Sequence, residues 1–227
     1  MKTTFILILI SNALIILNLS AQDNPLNHNA NCEHTINFEA KLKGRVFINK
    51  YPGKSIQFYK NWMQGELLLS DGNIVTNKVL LYNSLLDELI WRRSTDYKQV
   101  ILNKQAIAGF TLYNSDNIKV AEFQKKYLKN ASDSTGTFLQ ILTEGKISLY
   151  VKREVLFKEN SGEFQGKNNY YLLKNGEFYP LIPYRWFLYR LMGEDKAKMK
   201  TIVRKNFLFI KKEPALIKAI QLFNEES

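Results

Sequence analysis

The stretch YNSLLDEL, residues 82–89, sets Tyr82, Asn83, Asp87 and Glu88 among leucines. A phenol, an amide and two carboxylates this close could hold a polar ligand. Tyr82 and Asn83 would supply hydrogen bonds, and Asp87 or Glu88 a charge. The same letters also describe a tight chain reversal. Asn83 and Ser84 would open it, and Asp87 would help end it by accepting from local backbone N–H groups. Tyr82 and Trp91 would then be aromatics across two strands. The reversal is the favoured reading, and Tyr82, Asn83 and Asp87 remain the candidate ligand patch. A second group, HNANCEH (28–34), holds both histidines and the only cysteine: His28, Cys32 and His34. Imidazole and thiolate suit zinc or copper. A structural site, however, wants four ligands on a rigid frame, and this polar stretch offers three. No metal or cofactor is expected.

Other chemistries are harder to assemble. The chain has no G-x-S-x-G elbow, no phosphate-cradling loop, no H-E-x-x-H and no C-x-x-C. No histidine follows His34, so a Ser–His–Asp or Cys–His mechanism would have to draw on the N-terminal stretch. Sugar hydrolysis needs two convergent carboxylates. Asp87 and Glu88, read as strand neighbours, point to opposite faces. Glu144, Glu154 and Glu163 share no spacing that unites them. No catalytic residue is expected.

The elements that must position these residues follow from the pattern. Lys2, an apolar run over 5–17 and small residues at Ser20-Ala21 read as a signal peptide over 1–22, cut after Ala21 or Gln22. The run is short for spanning about 30 Å of hydrocarbon. Residues 23–43 read as a flexible polar arm. From 44 to 182 short apolar runs alternate in twos: 44–50, 54–59, 65–83, 87–93, 98–103, 107–113, 119–128, 137–144, 146–157 and 170–181. Asp71-Gly72 and Asn175-Gly176 mark hairpins. Gly145 suggests a turn or bulge. Residues 129–136 and 158–168 read as solvent loops, the second long enough to be mobile. After Pro183 the period becomes helical, over 183–193, 194–206 and 213–226, with limits at Pro183, Gly193 and Pro214. The expected fold is α+β. An antiparallel β-meander, as a sandwich or a curved, partly closed sheet, precedes a small C-terminal bundle of short helices packed on or beside it.

YNSLLDEL (82–89) followed by EGKISLYVKREV (144–155) resembles uncharacterised secreted or periplasmic proteins of Bacteroidota-type bacteria. Their pattern runs from a Gly-containing strand through Y-N-x-x-x-D-x-x-E and E-G-x-x-S-L-Y-x-K to short C-terminal helices. Leu81 and Ile90 stand where that pattern has Arg and Glu. The resemblance implies location and architecture, and no reaction. It also makes Asp133-Ser134-Thr135 similar to an envelope O-glycosylation acceptor, with Ser134 as the modified residue.

The net charge is +11 and only one cysteine is present, so no intrachain disulfide can form and stability rests on core burial. Export argues against nucleic acid as the partner of a basic chain. The expectation is a non-catalytic cell-envelope binding or scaffold module, periplasmic or at the outer surface and at most peripheral to a membrane. It would meet an anionic glycan, lipid or envelope protein. A lipid or lipoprotein carrier with an apolar cavity is the alternative, and a glycan hydrolase a third reading.

Overall fold

A computed structural model describes residues 42–50, 56, 58, 61–128 and 135–226. The signal peptide, most of the polar arm with His28, Cys32 and His34, the turn at 51–53, and Ser134 lie outside the described residues.

Eleven strands form one antiparallel sheet that is not closed: β1 (Gly44–Val46), β2 (Met63–Leu69), β3 (Ile74–Asn83), β4 (Glu88–Arg92), β5 (Gln99–Leu102), β6 (Ile107–Tyr113), β7 (Lys119–Lys126), β8 (Thr137–Thr143), β9 (Ile147–Lys158), β10 (Glu163–Lys174) and β11 (Glu177–Leu181). Their order is β1-β5-β4-β3-β2-β6-β7-β8-β9-β10-β11. Two meanders therefore grow outward from the central β2–β6 pair, and the expected α+β class is observed.

The hairpin turns follow their residues. Gly72 (φ 85°) and the Asn175-Gly176 pair (φ 51° and 78°) adopt the left-handed backbone that tight turns require.

The join between the meanders forces curvature. β5 and β6 lie four strand steps apart, about 19 Å if the sheet were flat. Only residues 103–106 connect them, and 104–106 form a 3-10 turn. Such a link reaches at most about 17 Å even when fully extended, and the turn shortens it. The sheet must curl to bring β5 and β6 together. Its concave side holds a cluster of rings: Phe110 stacks on Phe123 at 4.5 Å, Tyr82 lies 5.0 Å from Phe123, and Phe138 stands edge-on to Phe110 at 5.2 Å.

A second core joins β9, β10 and β11 to three helices, α1 (Arg185–Met192), α2 (Lys196–Lys205) and α3 (Glu213–Glu225). Each helix buries one stripe: Leu188 and Met192; Met199, Ile202 and Val203; Leu216, Ala219, Ile220 and Phe223. These close over Ile147, Leu149, Leu172 and Leu181 of the sheet. Asn224 of α3 fixes the β8–β9 turn. Its Oδ1 accepts from Ile147 N at 3.1 Å, and its Nδ2 donates to Ile147 O at 2.9 Å and Glu144 O at 3.3 Å.

Three expectations need correction. Of residues 158–168 only 159–162 form a turn: β10 begins at Glu163 and pairs with β9 from Glu163↔Lys158 onward. The polar letters misled because this end of the ribbon runs past β8 and β11, so its side chains meet water while its backbone stays paired. Asp87 does not start β4. It closes the preceding turn at φ 52°, and so is not the strand neighbour of Glu88 that alternation implied. The strand expected over 54–59 is not seen at its described positions. Ile56 and Phe58 lie outside any strand, although Phe58 N donates to Tyr82 O.

Candidate functional site

The β3–β4 corner carries the candidate patch, and the sheet divides it. Tyr82 and Asn83 are consecutive on β3, so their side chains take opposite faces. Tyr82 is buried inside the curl, and its hydroxyl donates to Asp87 Oδ1 at 2.6 Å. Lys104 Nζ, from the β5–β6 link, reaches Asp87 Oδ2 at 2.7 Å. Phe138 N on β8 donates to both carboxylate oxygens at 3.3–3.4 Å. The carboxylate thus gathers β3, the β5–β6 link and β8, and holds the curl together. Asp87 was expected to accept from local backbone; its backbone donor instead lies 51 residues away.

Burial pushes the Asp87 carboxyl up. The Lys104 ammonium, the Tyr82 hydroxyl and the Phe138 amide pull the other way and do not fully offset it. Burial also drives the Tyr82 phenol well above its ordinary value, and the neighbouring Asp87 charge adds to this. A neutral Tyr82 therefore serves as a donor to a carboxylate. Tyr82, Asp87, Lys104 and Phe138 N thus each have a partner within the fold, while Asp87 and Lys104 also line a cleft of about 550 Å³ with Leu86, Asn103 and Thr135.

Asn83 behaves differently on its two ends. Its Oδ1 accepts from Leu85 N at 3.1 Å and Leu86 N at 3.3 Å, the side-chain-capped turn expected from the sequence. Its Nδ2 has no hydrogen-bond partner among the described residues, and neither do Ser84 Oγ and Glu88 Oε2. Asn83 and Glu88 border a cleft of about 290 Å³, walled by Val46, Ile56, Leu86 and Ile101, with Arg45 paired to Glu88 at its rim. Among the described residues no group of three or more His, Cys, Asp or Glu is placed to hold a metal ion.

The other concentration of chemistry lies on the helical end. Residues 196–212 carry seven Lys or Arg and no Asp or Glu. Lys196, Lys200, Arg204, Lys205, Lys211 and Lys212 are all exposed. Aromatics sit among them. Tyr184, Trp186, Phe207 and Phe209 are 43%, 59%, 91% and 53% exposed. Local contacts tie this surface together. Arg185 Nη2 donates to Leu208 O at 3.0 Å, Lys211 Nζ lies 4.8 Å over the Tyr184 ring, and the Arg190 guanidinium lies 5.2 Å over Trp186. Periodicity revealed the helices but not the intervening 207–211 segment, whose alternate residues Leu208 and Ile210 turn inward.

No protein-family model, curated protein or solved structure matches the chain. No described helix is long and apolar enough to cross a membrane.

Proposed function

We propose that the chain is an exported, non-catalytic binding or scaffold protein of a cell envelope, and that its basic helical end meets an anionic partner. One observation carries this reading: seven cations without a single carboxylate over 196–212, six of them exposed, on a folded segment that also exposes Phe207 and Phe209. Opposite charges there attract over about 8–10 Å at physiological salt, and the rings add contact area. The ring-filled concave side of the curl favours this reading over a carrier that encloses a ligand. The engagement of Tyr82 and Asp87 within the fold favours it over hydrolysis.

The test replaces Arg204, Lys205, Lys211 and Lys212 together by Gln. Circular dichroism checks the fold, and elution from immobilised heparin, a generic polyanion, reads the charge. The variant should elute at clearly lower salt than the wild type. Elution at the same salt would overturn the proposal.

A further inference from the structure

Helix α2 ends in a motif that normally belongs to glycine. Leu208 N donates to Val203 O at 3.0 Å and Phe207 N to Arg204 O at 3.2 Å, the paired bonds of a Schellman cap. The residue at its turning point must take positive φ, and here it is Phe207, at φ 52°. A Cβ and a ring disfavour that backbone, which glycine adopts freely. The ring gains nothing in return from the fold, since 91% of the residue is exposed. Strain and exposed apolar area thus coincide at one side chain. Phe209, Trp186 and Tyr184 add exposed ring area, Lys211 and Arg190 lie over the Tyr184 and Trp186 rings, and Arg204, Lys205 and Lys212 are exposed on the same acid-free segment.

We infer that this face docks on an anionic lipid bilayer, with Phe207 and Trp186 entering the interface and the cations resting on headgroup phosphates. The inference rests on the proposed anionic-partner reading and names its partner. A bilayer asks for these two features together. Aromatic rings favour the headgroup boundary, and each Lys or Arg near an anionic leaflet adds attraction. A polyanion bound through its charged groups alone would use the cations and leave a protruding, strained phenylalanine without a role. The mode is peripheral, in keeping with the absence of a spanning helix among the described residues.

The experiment is flotation of the whole chain with vesicles of phosphatidylcholine alone or with 30% phosphatidylglycerol, alongside heparin elution. Phe207→Gly is the decisive variant because it relieves the backbone strain while deleting the ring. The wild type should float with the anionic vesicles only. Phe207→Gly should bind them about tenfold more weakly, given the apolar area lost, with a melting temperature equal or higher. Trp186→Ala should also weaken flotation, and neither substitution should move heparin elution much. Flotation unchanged in both variants, or heparin retention without flotation, would overturn the bilayer inference and leave the anionic-partner reading standing. Failure on both vesicles and heparin would remove both.

Discussion

Arg153 on β9 and Glu213 at the start of α3 meet as a two-point pair, Nη1 to Oε2 and Nη2 to Oε1, both at 2.8 Å. Tyr170 of β10 donates to the same Oε2 at 2.8 Å, and Arg153 Nε donates to Gln140 Oε1 of β8 at 2.7 Å. The guanidinium also lies 5.5 Å over the Phe58 ring. Three strands and a helix thus meet at one ion pair, at the border between the ring-lined curl and the helical core.

This pair makes stability acid-sensitive. Burial pushes the Glu213 carboxyl up, but hydrogen bonds from Arg153 and Tyr170 and the Arg153 charge outweigh it and hold the group below its ordinary range. A depressed carboxyl stabilises the fold above the unfolded value, about 4.3, and that stabilisation is lost as pH falls through the folded value. Asp87, whose carboxyl is raised, has the opposite sign and does not contribute to the acid loss. Glu213→Gln should lower stability by about 2 kcal/mol at pH 7. Urea unfolding repeated below pH 4 should show the gap to the wild type shrinking; a gap independent of pH would contradict the assignment.

Asp87→Ala should cost about 3 kcal/mol, because Lys104 is left as a mostly buried cation and the bonds from Tyr82 and Phe138 are lost. Adding Lys104→Met should recover part of that loss. Equal stabilities for the single and double variants in chemical denaturation would show the ammonium to be adequately solvated without its partner.

Asn83→Ala should cost about 1 kcal/mol through the two turn bonds made by its Oδ1. The unpartnered Nδ2 disappears in the same substitution, which keeps the loss small. A thermal melt identical to the wild type would show the turn to be held by its backbone alone.

Gly145→Ala should destabilise by about 2 kcal/mol, since a Cβ there would stand 3.0 Å or less from three atoms of the Asn224 side chain. That side chain cannot move aside without breaking its bonds to Ile147 and Glu144. Combined with Asn224→Ala, the glycine change should lose part of its cost but not all, since alanine keeps the Cβ at 3.0 Å and the backbone at φ 158° still disfavours a side chain. Additive losses in calorimetry would mean the two positions are independent.

Much of the architecture was legible because local chemistry and long-range structure agree. Alternation marked β6 to the residue, over 107–113, and Pro183, Gly193 and Pro214 bounded the helices. The ribbon over 163–168 was missed because backbone pairing leaves no trace when both faces of a strand meet solvent. At the β3–β4 corner the letters revealed the turn and the Asn83 cap. They could not show Lys104 and Phe138 converging on Asp87, since that depends on how tightly the sheet curls. The curl follows from the short 103–106 link, whose consequence appears only once strand order is known. Phe207 was hidden for a different reason: its oddity is a backbone angle.

The way α1, α2 and α3 cover Ile147, Leu149, Leu172 and Leu181 binds the basic helical end to the sheet in a practical sense. A fragment stopping at residue 182 would present an oily wall to water, and its natural remedy is self-association. Capture experiments with such a fragment would report on stickiness rather than recognition. The contact surface must be dissected one side chain at a time, in the intact polypeptide.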